Sequence, residues 1–154
     1  MTLYSVVLAL HSYMRWVVLL LAILVVVRFF RASQTGRAWS PGDNSLHGAF
    51  IGMMDLQFTL GLLLYVWLSP ITTAAFGNMG AAMKDPVVRF FTVEHLSAMV
   101  LAVALLHVNR ARSKRMSADR ARFKSIWIWT LVSLVLILVS IPWPIFPYAR
   151  PLFR

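Results

Sequence analysis

The chain of 154 residues has no cysteine, and this absence excludes several kinds of chemistry at once. Disulfides, thiolate-bound metals, covalently attached c-type haem and cysteine nucleophiles all need at least one thiol. Charged residues are also scarce, at 13% of the chain, whereas 60% of the residues are hydrophobic. A soluble domain carries about 25% charged residues. The composition therefore excludes an ordinary soluble domain and predicts a membrane protein.

Acidic residues are the rarest charged class, with five against 15 lysines and arginines and a formal net charge of +10. The cations follow topology, because most of them fall in the two loops after the first and third apolar stretches. These residues are Arg28, Arg31, Arg37, Arg110, Arg112, Lys114, Arg115, Arg120, Arg122 and Lys124. The positive-inside rule predicts that this side is cytoplasmic and that both termini are periplasmic. We therefore expect contact with lipid headgroups and no nucleic-acid partner.

Four long apolar stretches predict helices over about 3–30, 46–68, 87–109 and 125–141. About 20 apolar residues cross the ~30 Å hydrocarbon core of a bilayer. We therefore predict an all-α fold, an integral membrane four-helix bundle in which residues 1–154 form a single transmembrane domain. The first stretch has no basic segment before it, so we expect a retained span rather than a cleaved signal. The expected location is the bacterial cytoplasmic (inner) membrane, with several passes.

Two histidines lie at matched depth in non-adjacent spans, His11 in the first and His95 in the third. Counted from the outer side, both lie about 9–12 Å below the surface at 1.5 Å rise per residue. Ionisable groups at such depth are costly and usually functional. Imidazole is a standard axial ligand, and bundle interiors hold such cofactors. The pair predicts one haem b with His11 and His95 on its iron, whereas the alternative is that each ring is hydrogen-bonded within the bundle.

The other ionisable residues of the spans lie near these histidines. Arg15 shares the face of His11 and is close to the midplane, where a guanidinium needs an acidic partner. We expect an ion pair with Asp55, and Glu94 is the alternative partner. A Glu94 left outside that pair could orient a histidine or relay protons. Arg89 is placed to neutralise a haem propionate, or to serve as an ordinary interfacial anchor.

A second pair, His47 and His107, also matches in depth, near the cytoplasmic face. These residues would be the iron ligands of a second haem. However, His95 and His107 are twelve residues apart, about 120° around one helix, so one face cannot present both. The alternative is that His47 and His107 are interfacial histidines in contact with headgroups. Gln57 and Tyr65 form a polar stripe on the second helix and are expected to offer contacts to a quinone.

Four segments of the sequence resemble one known family. They are His11-Ser-Tyr-Met-Arg15-Trp16, Gln57-Phe-Thr-Leu-Gly61-Leu-Leu-Leu-Tyr65, Arg89-Phe-Phe-Thr-Val-Glu94-His95 and Ile141-Pro-Trp-Pro144. Together they resemble short bacterial membrane proteins labelled "cytochrome B-like". The resemblance touches three helices and the tail. It implies that His11, Arg15, Gln57, Glu94 and His95 belong to one functional set, whereas His47 and His107 lie outside these segments.

The sequence thus predicts a membrane b-type haem protein for electron transfer, rather than a stand-alone enzyme. Its expected partners are membrane lipid, a quinone or a redox protein, in a homo-oligomer or as a subunit of a larger complex. Two alternatives stay open. One is a proton- or ion-conducting or transport module that uses the Arg, Asp, Glu and His side chains. The other is an accessory subunit without a cofactor.

Overall fold

The computed structural model describes residues 2–153, which contain helices and no strand. The helices are α1 (Leu3–Thr35), α2 (Pro41–Leu68), α3 (Pro70–Gly77), α4 (Met79–Ala82), α5 (Pro86–Ser113) and α6 (Asp119–Val139). Four of them, α1, α2, α5 and α6, are long and apolar enough to cross a membrane. The prediction of an all-helical chain with four long apolar helices is confirmed.

Helices α1, α2 and α5 extend beyond the predicted apolar stretches, and α6 begins at Asp119 and ends at Val139 rather than covering 125–141. At the start of α2, the Ser40 hydroxyl accepts from the Asp43 backbone N–H at 3.3 Å, and the Asp43 carboxylate accepts from the Ser40 N–H at 3.0 Å. This reciprocal capping box satisfies N–H groups that a helix start leaves unpaired. Helix α1 continues to Thr35 and ends where Gly36 adopts φ +67°, a left-handed conformation that glycine adopts easily.

The four long helices form an antiparallel bundle. Helix α1 packs against both α2 and α6, whereas α5 packs closely on α6 and only sparsely on α2. Helices α1 and α5 are therefore diagonal partners across the bundle. We call the end with the turns 36–40 and 114–118 the basic end. The opposite end, covered by α3, α4 and residues 140–153, is called the tail end.

A buried carboxylate fixes the basic end. Asp43 is fully buried, and its oxygens lie 3.0 Å from Nε of Arg28 and 2.7 Å from Nη1 of Arg37. The hydrogen bond to Asp43 raises the pKa of the Arg37 guanidinium, so Arg37 stays charged at physiological pH. The backbone N–H of Trp39 donates to Asp119 at 3.0 Å, which ties the turn to the first residue of α6.

The tail end is closed by the chain after α6, which folds back across the bundle. Tyr148 stacks on Phe90 with ring centroids 3.7 Å apart, and Phe153 stacks on Trp16 at 5.3 Å. Offset stacking of aromatic rings contributes about 0.5–1.5 kcal/mol beyond area burial. Prolines at 142 and 144 prevent α6 from continuing, and the chain after them folds back over α1 and α5.

Candidate functional site

His11 and His95 come together in the tail-end half of the bundle. Their ring centroids lie 6.5 Å apart with an interplanar angle of 74°. A metal bound to two imidazoles at about 2 Å from each nitrogen places the ring centroids roughly 6 Å apart. Both rings line a cavity of about 160 Å³. Matched depth therefore led to the right pair of neighbours, while ligation of iron stays a prediction.

The orientation of His95 is set by a backbone carbonyl at the end of α6. Nδ1 of His95 lies 2.8 Å from the carbonyl oxygen of Ser140 and donates to it. In a continuing helix that carbonyl would accept from residue 144, but Pro144 has no N–H. Nε2 of His95 has no hydrogen bond from another described residue. A histidine that donates through one nitrogen and presents the other is typical of a metal ligand.

Pro142 has a parallel effect four residues after Leu138. Pro142 cannot donate to the Leu138 carbonyl, which accepts instead from the Ile141 backbone N–H at 3.3 Å and from the indole N–H of Trp143 at 2.8 Å. The segment Ile141-Pro-Trp-Pro144 therefore does more than end α6. Its prolines leave two carbonyls for side-chain donors, and one of those donors is His95.

His11 is positioned by α2 on the opposite wall. The side-chain amide of Gln57 donates to the His11 carbonyl at 3.0 Å and lies 3.3 Å from Nε2 of the ring. Gly61 leaves the space for the imidazole, since a Cβ there would lie 2.9 Å from Cε1 of His11. Nδ1 of His11 and Oε1 of Gln57 are buried without a hydrogen-bond partner among the described residues. Buried polar atoms of this kind indicate a place for a ligand or water.

Two π-helical turns flank the cavity, at Leu64–Leu68 in α2 and Phe90–Glu94 in α5. The Tyr65 hydroxyl of the first donates to the Thr92 carbonyl of the second at 3.0 Å. Such turns are rare and occur frequently at functional sites. Tyr65 and Gln57, the predicted quinone contacts, both line the cavity. Their best donors, the hydroxyl and the amide, already bind other residues of the chain.

Two guanidinium groups border the same cavity. Arg15 and Arg150 both line it, and Arg15 donates to the backbone carbonyl of Leu152 in the tail. The Arg150 guanidinium lies 5.2 Å from the centre of the Phe91 ring. Sequence reasoning missed Arg150, because nothing in its local sequence predicts that the tail folds back. Paired guanidiniums beside apolar walls favour an anionic group on an otherwise apolar ligand.

Comparisons with models of protein families, with curated proteins and with solved structures find no match to this chain. The likeness to cytochrome B-like proteins therefore stays a prediction, and the function has to be argued from the site. Within residues 2–153, no group of three or more His, Cys, Asp or Glu side chains is arranged to hold a metal ion. The two imidazoles are thus the donor set to consider.

The structure does not pair Arg15 with Asp55. The carboxylate of Asp55 lies 2.7 Å from Nε2 of His107. The reason is direction around the helix: Asp55 precedes Gln57 by two residues, about 200° at 100° per residue. Since Gln57 faces α1, Asp55 faces away from α1 and towards α5. Matching the depths of Arg15 and Asp55 could not distinguish these directions.

Arg89 and Glu94 bind each other rather than the cavity. Nε of Arg89 lies 2.8 Å from Oε1 of Glu94, and both side chains are exposed, by 42% and 46%. Neither residue lines the cavity. The predicted role of orienting a histidine belongs to the Ser140 carbonyl instead of Glu94. The cations that border the cavity are Arg15 and Arg150, not Arg89.

His47 and His107 do not come together as the predicted second ligand pair. His47 is buried, with its ring 6.2 Å from that of Phe29. His107 is exposed and bound to Asp55 on the flank of the bundle. No contact between the two histidine rings is recorded in the described part of the chain. His107 contacts Asp55, which follows His47 by eight residues in α2, about 12 Å along the axis, so the two histidines do not lie at the same depth.

Proposed function

We propose that this protein is a b-type membrane haem protein that transfers electrons, with His11 and His95 as the ligands of one haem. The observation that carries the proposal is the pair of imidazoles 6.5 Å apart on diagonal helices. Two features support it. The Ser140 carbonyl fixes the tautomer of His95, and the cavity between the rings is mainly apolar, as the sites of such cofactors are.

The two imidazoles fit haem as ligands, whereas the volume of the cavity requires a movement of the helices. Imidazoles supply axial ligands, and Arg15 and Arg150 supply positive charge for propionates. The cavity of about 160 Å³ is smaller than the roughly 300–1,000 Å³ of ordinary ligand pockets. A macrocycle therefore requires α2 and α5 to separate, and these are the neighbouring helices that pack most sparsely.

Bound haem supplies one-electron chemistry, and the protein supplies orientation and electrostatics. Ser140 and Gln57 hold the two rings through hydrogen bonds at 2.8 Å and 3.3 Å. Arg15 and Arg150 stabilise negative charge beside the site. The aromatic stacking of Tyr148 on Phe90 and of Phe153 on Trp16 holds the tail across the tail end. Each of these contributions belongs to residues of the chain and can be altered separately.

The orientation proposed from the sequence puts the basic end in the cytoplasm of a bacterial cell and the tail end in the periplasm. A site in the tail-end half then suits exchange with a quinol in the membrane or with a periplasmic electron carrier. A reporter fused after Arg154 tests this placement. Periplasmic activity of the reporter is expected, and cytoplasmic activity would reverse the orientation.

The spectrum of the purified protein tests the proposal. The wild type is expected to show a Soret band and, after reduction with dithionite, an α-band. His11→Ala and His95→Ala should each abolish the bis-imidazole spectrum. His47→Ala is the matched control, because His47 is a buried histidine of a long helix that does not line the cavity. A colourless wild type made with ample haem, or unchanged spectra in both ligand variants, would contradict the proposal.

The alternative proposal, a proton-conducting module, predicts flux into proteoliposomes without any pigment. A relay across the bilayer needs a continuous chain of polar groups. Ionisable side chains of the described spans fall instead into separate places: the Asp43 cluster at the basic end, the buried His47, the Asp55–His107 pair, the exposed Arg89–Glu94 pair and the cavity. No specific contact favours the relay over the haem site. The remaining alternative, an accessory subunit, predicts changed partners in His11→Ala but no spectrum in the wild type.

A further inference from the structure

The flank between α2 and α5 carries a hydrogen-bonded pair, Asp55 and His107, that the haem proposal does not use. Nε2 of His107 lies 2.7 Å from Oδ1 of Asp55, and the two side chains are 48% and 46% exposed. Their remaining polar atoms, Nδ1 of His107 and Oδ2 of Asp55, receive no hydrogen bond from another described residue. Neither residue lines the cavity. The pair thus presents one donor-or-acceptor nitrogen and one acceptor oxygen outwards.

The depth of this pair makes its exposure significant. Asp55 is the fifteenth of the 28 residues of α2, about 21 Å along the axis from Pro41 and close to the middle of the helix. In a bilayer this position faces acyl chains. A charged side chain there costs about 2.5–3.5 kcal/mol on insertion scales and almost always faces protein or a water-filled cavity. Lipid alone is therefore a poor cover for the flank.

The surface around the pair allows close approach of another helix. A Cβ at Gly52, one turn before Asp55, would meet no atom within 4 Å. Thr59, one turn after Asp55, is exposed on the same face. Val108 beside His107 is also exposed. Small residues let helix backbones meet within membranes, and polar side chains then hydrogen-bond between helices.

We propose that a second copy of this chain covers the flank, in a dimer whose two-fold axis runs along the bundle. All copies insert in one orientation, so such an axis brings residues of equal depth together. Asp55 and His107 share a level, since they touch each other. Around the axis, Oδ2 of each Asp55 can accept from Nδ1–H of the His107 in the other copy; each His107 then donates through both nitrogens and is in its imidazolium form. The flank is therefore complementary to itself, because each copy supplies both the donor and the acceptor that the other copy needs. An unrelated partner would need a matching donor and acceptor of its own.

The absence of native cysteine makes crosslinking in membranes a clean test. Thr59→Cys places a thiol on the proposed interface. Leu20→Cys is the control, since Leu20 is 67% exposed near the middle of α1, the helix diagonal to α5. With a thiol-specific bismaleimide, we expect Thr59→Cys to give at least tenfold more crosslinked dimer than Leu20→Cys. Equal yields, or crosslinking of Thr59→Cys only to a different protein, would overturn the proposal.

A complementation experiment tests the reciprocal contact itself. In the Thr59→Cys background, Asp55→His gives chains with two histidines on the flank, and His107→Asp gives chains with two carboxylates. Each variant alone should give at least tenfold less crosslinked dimer than Thr59→Cys without the second substitution. Co-expression of the two with different tags should restore a mixed dimer to the yield of Thr59→Cys alone. Failure to restore it in chains whose helical circular dichroism is intact would refute the contact, since only pairing between copies predicts rescue.

Discussion

Replacing Gly61 by alanine tests whether the backbone of α2 sets the position of His11. A Cβ at position 61 would stand 2.9 Å from Cε1 of the imidazole. Carbon atoms attract each other at about 3.5–4.0 Å, so the ring has to retreat by at least about 0.6 Å. Binding constellations tolerate displacements of about 0.5 Å. We therefore expect Gly61→Ala to lose the haem binding that depends on His11.

The effect on stability has a sign that can be worked out in advance. Alanine in place of glycine within a helix stabilises by about 0.5–1 kcal/mol. Overpacking against the His11 ring costs about 1–3 kcal/mol. The net expectation is a loss of up to about 2.5 kcal/mol, measured by thermal unfolding in detergent with circular dichroism. The same samples report on the imidazole through ¹⁵N-histidine spectra and, with haem bound, through the Soret band.

Gly48→Ala is the matched control in the same helix. A Cβ there would lie 3.5 Å from the nearest atom, in the flexible Arg110 side chain, which is ordinary van der Waals contact. This variant should be as stable as the wild type or more stable. If Gly61→Ala matches Gly48→Ala in stability and leaves the His11 signals unchanged, the steric argument is wrong.

Two further predictions concern stability, and thermal unfolding followed by circular dichroism measures both. Asp43→Asn removes the buried carboxylate that binds Arg28 and Arg37. We expect this variant to lose about 1.5–3 kcal/mol of stability. Asp85→Asn is the control and should change stability little, because position 85 is an exposed helix start where asparagine caps equally well. Equal losses in the two variants would show that the buried network adds no stability. Trp143→Phe keeps an aromatic ring beside Trp16 but removes the indole donor to the Leu138 carbonyl, so a loss of about 1 kcal/mol is expected, and an unchanged midpoint would contradict this assignment of the donor.

The sequence was informative wherever position along the helix axis was enough to make the prediction. Apolar length predicts the four long helices, because hydrocarbon thickness fixes how many residues a span needs. Depth along the axis identified His11 and His95 as neighbours, and their rings do converge. The same criterion paired Arg15 with Asp55 and His47 with His107, neither of which the structure brings together. For Arg15 and Asp55 the missing information is direction around the helix, which depends on packing of the whole bundle. For His47 and His107 the depth estimate itself failed, because His107 meets Asp55, eight residues after His47 in α2.

Other features have no signature in one sequence. The π-helical turns at Leu64–Leu68 and Phe90–Glu94 depend on how neighbouring helices accommodate an extra residue. The place of Arg150 beside the cavity depends on long-range stacking of the tail. The chain after α6 has no helical or strand periodicity, so its sequence does not predict that it folds back over the bundle. In contrast, the prolines at 142 and 144 do carry a local signal, since neither has an N–H to donate to the carbonyl four residues earlier.

The bond from His95 to the main chain at residue 140 has a consequence for redesign. Because the acceptor is a peptide oxygen, exchanging the serine side chain for another small one leaves the imidazole anchored. The Ser140 carbonyl is available because of Pro144, four residues further on, whose ring nitrogen has no hydrogen to donate. Anyone moving this histidine into a different bundle would have to transplant the broken helix end along with it.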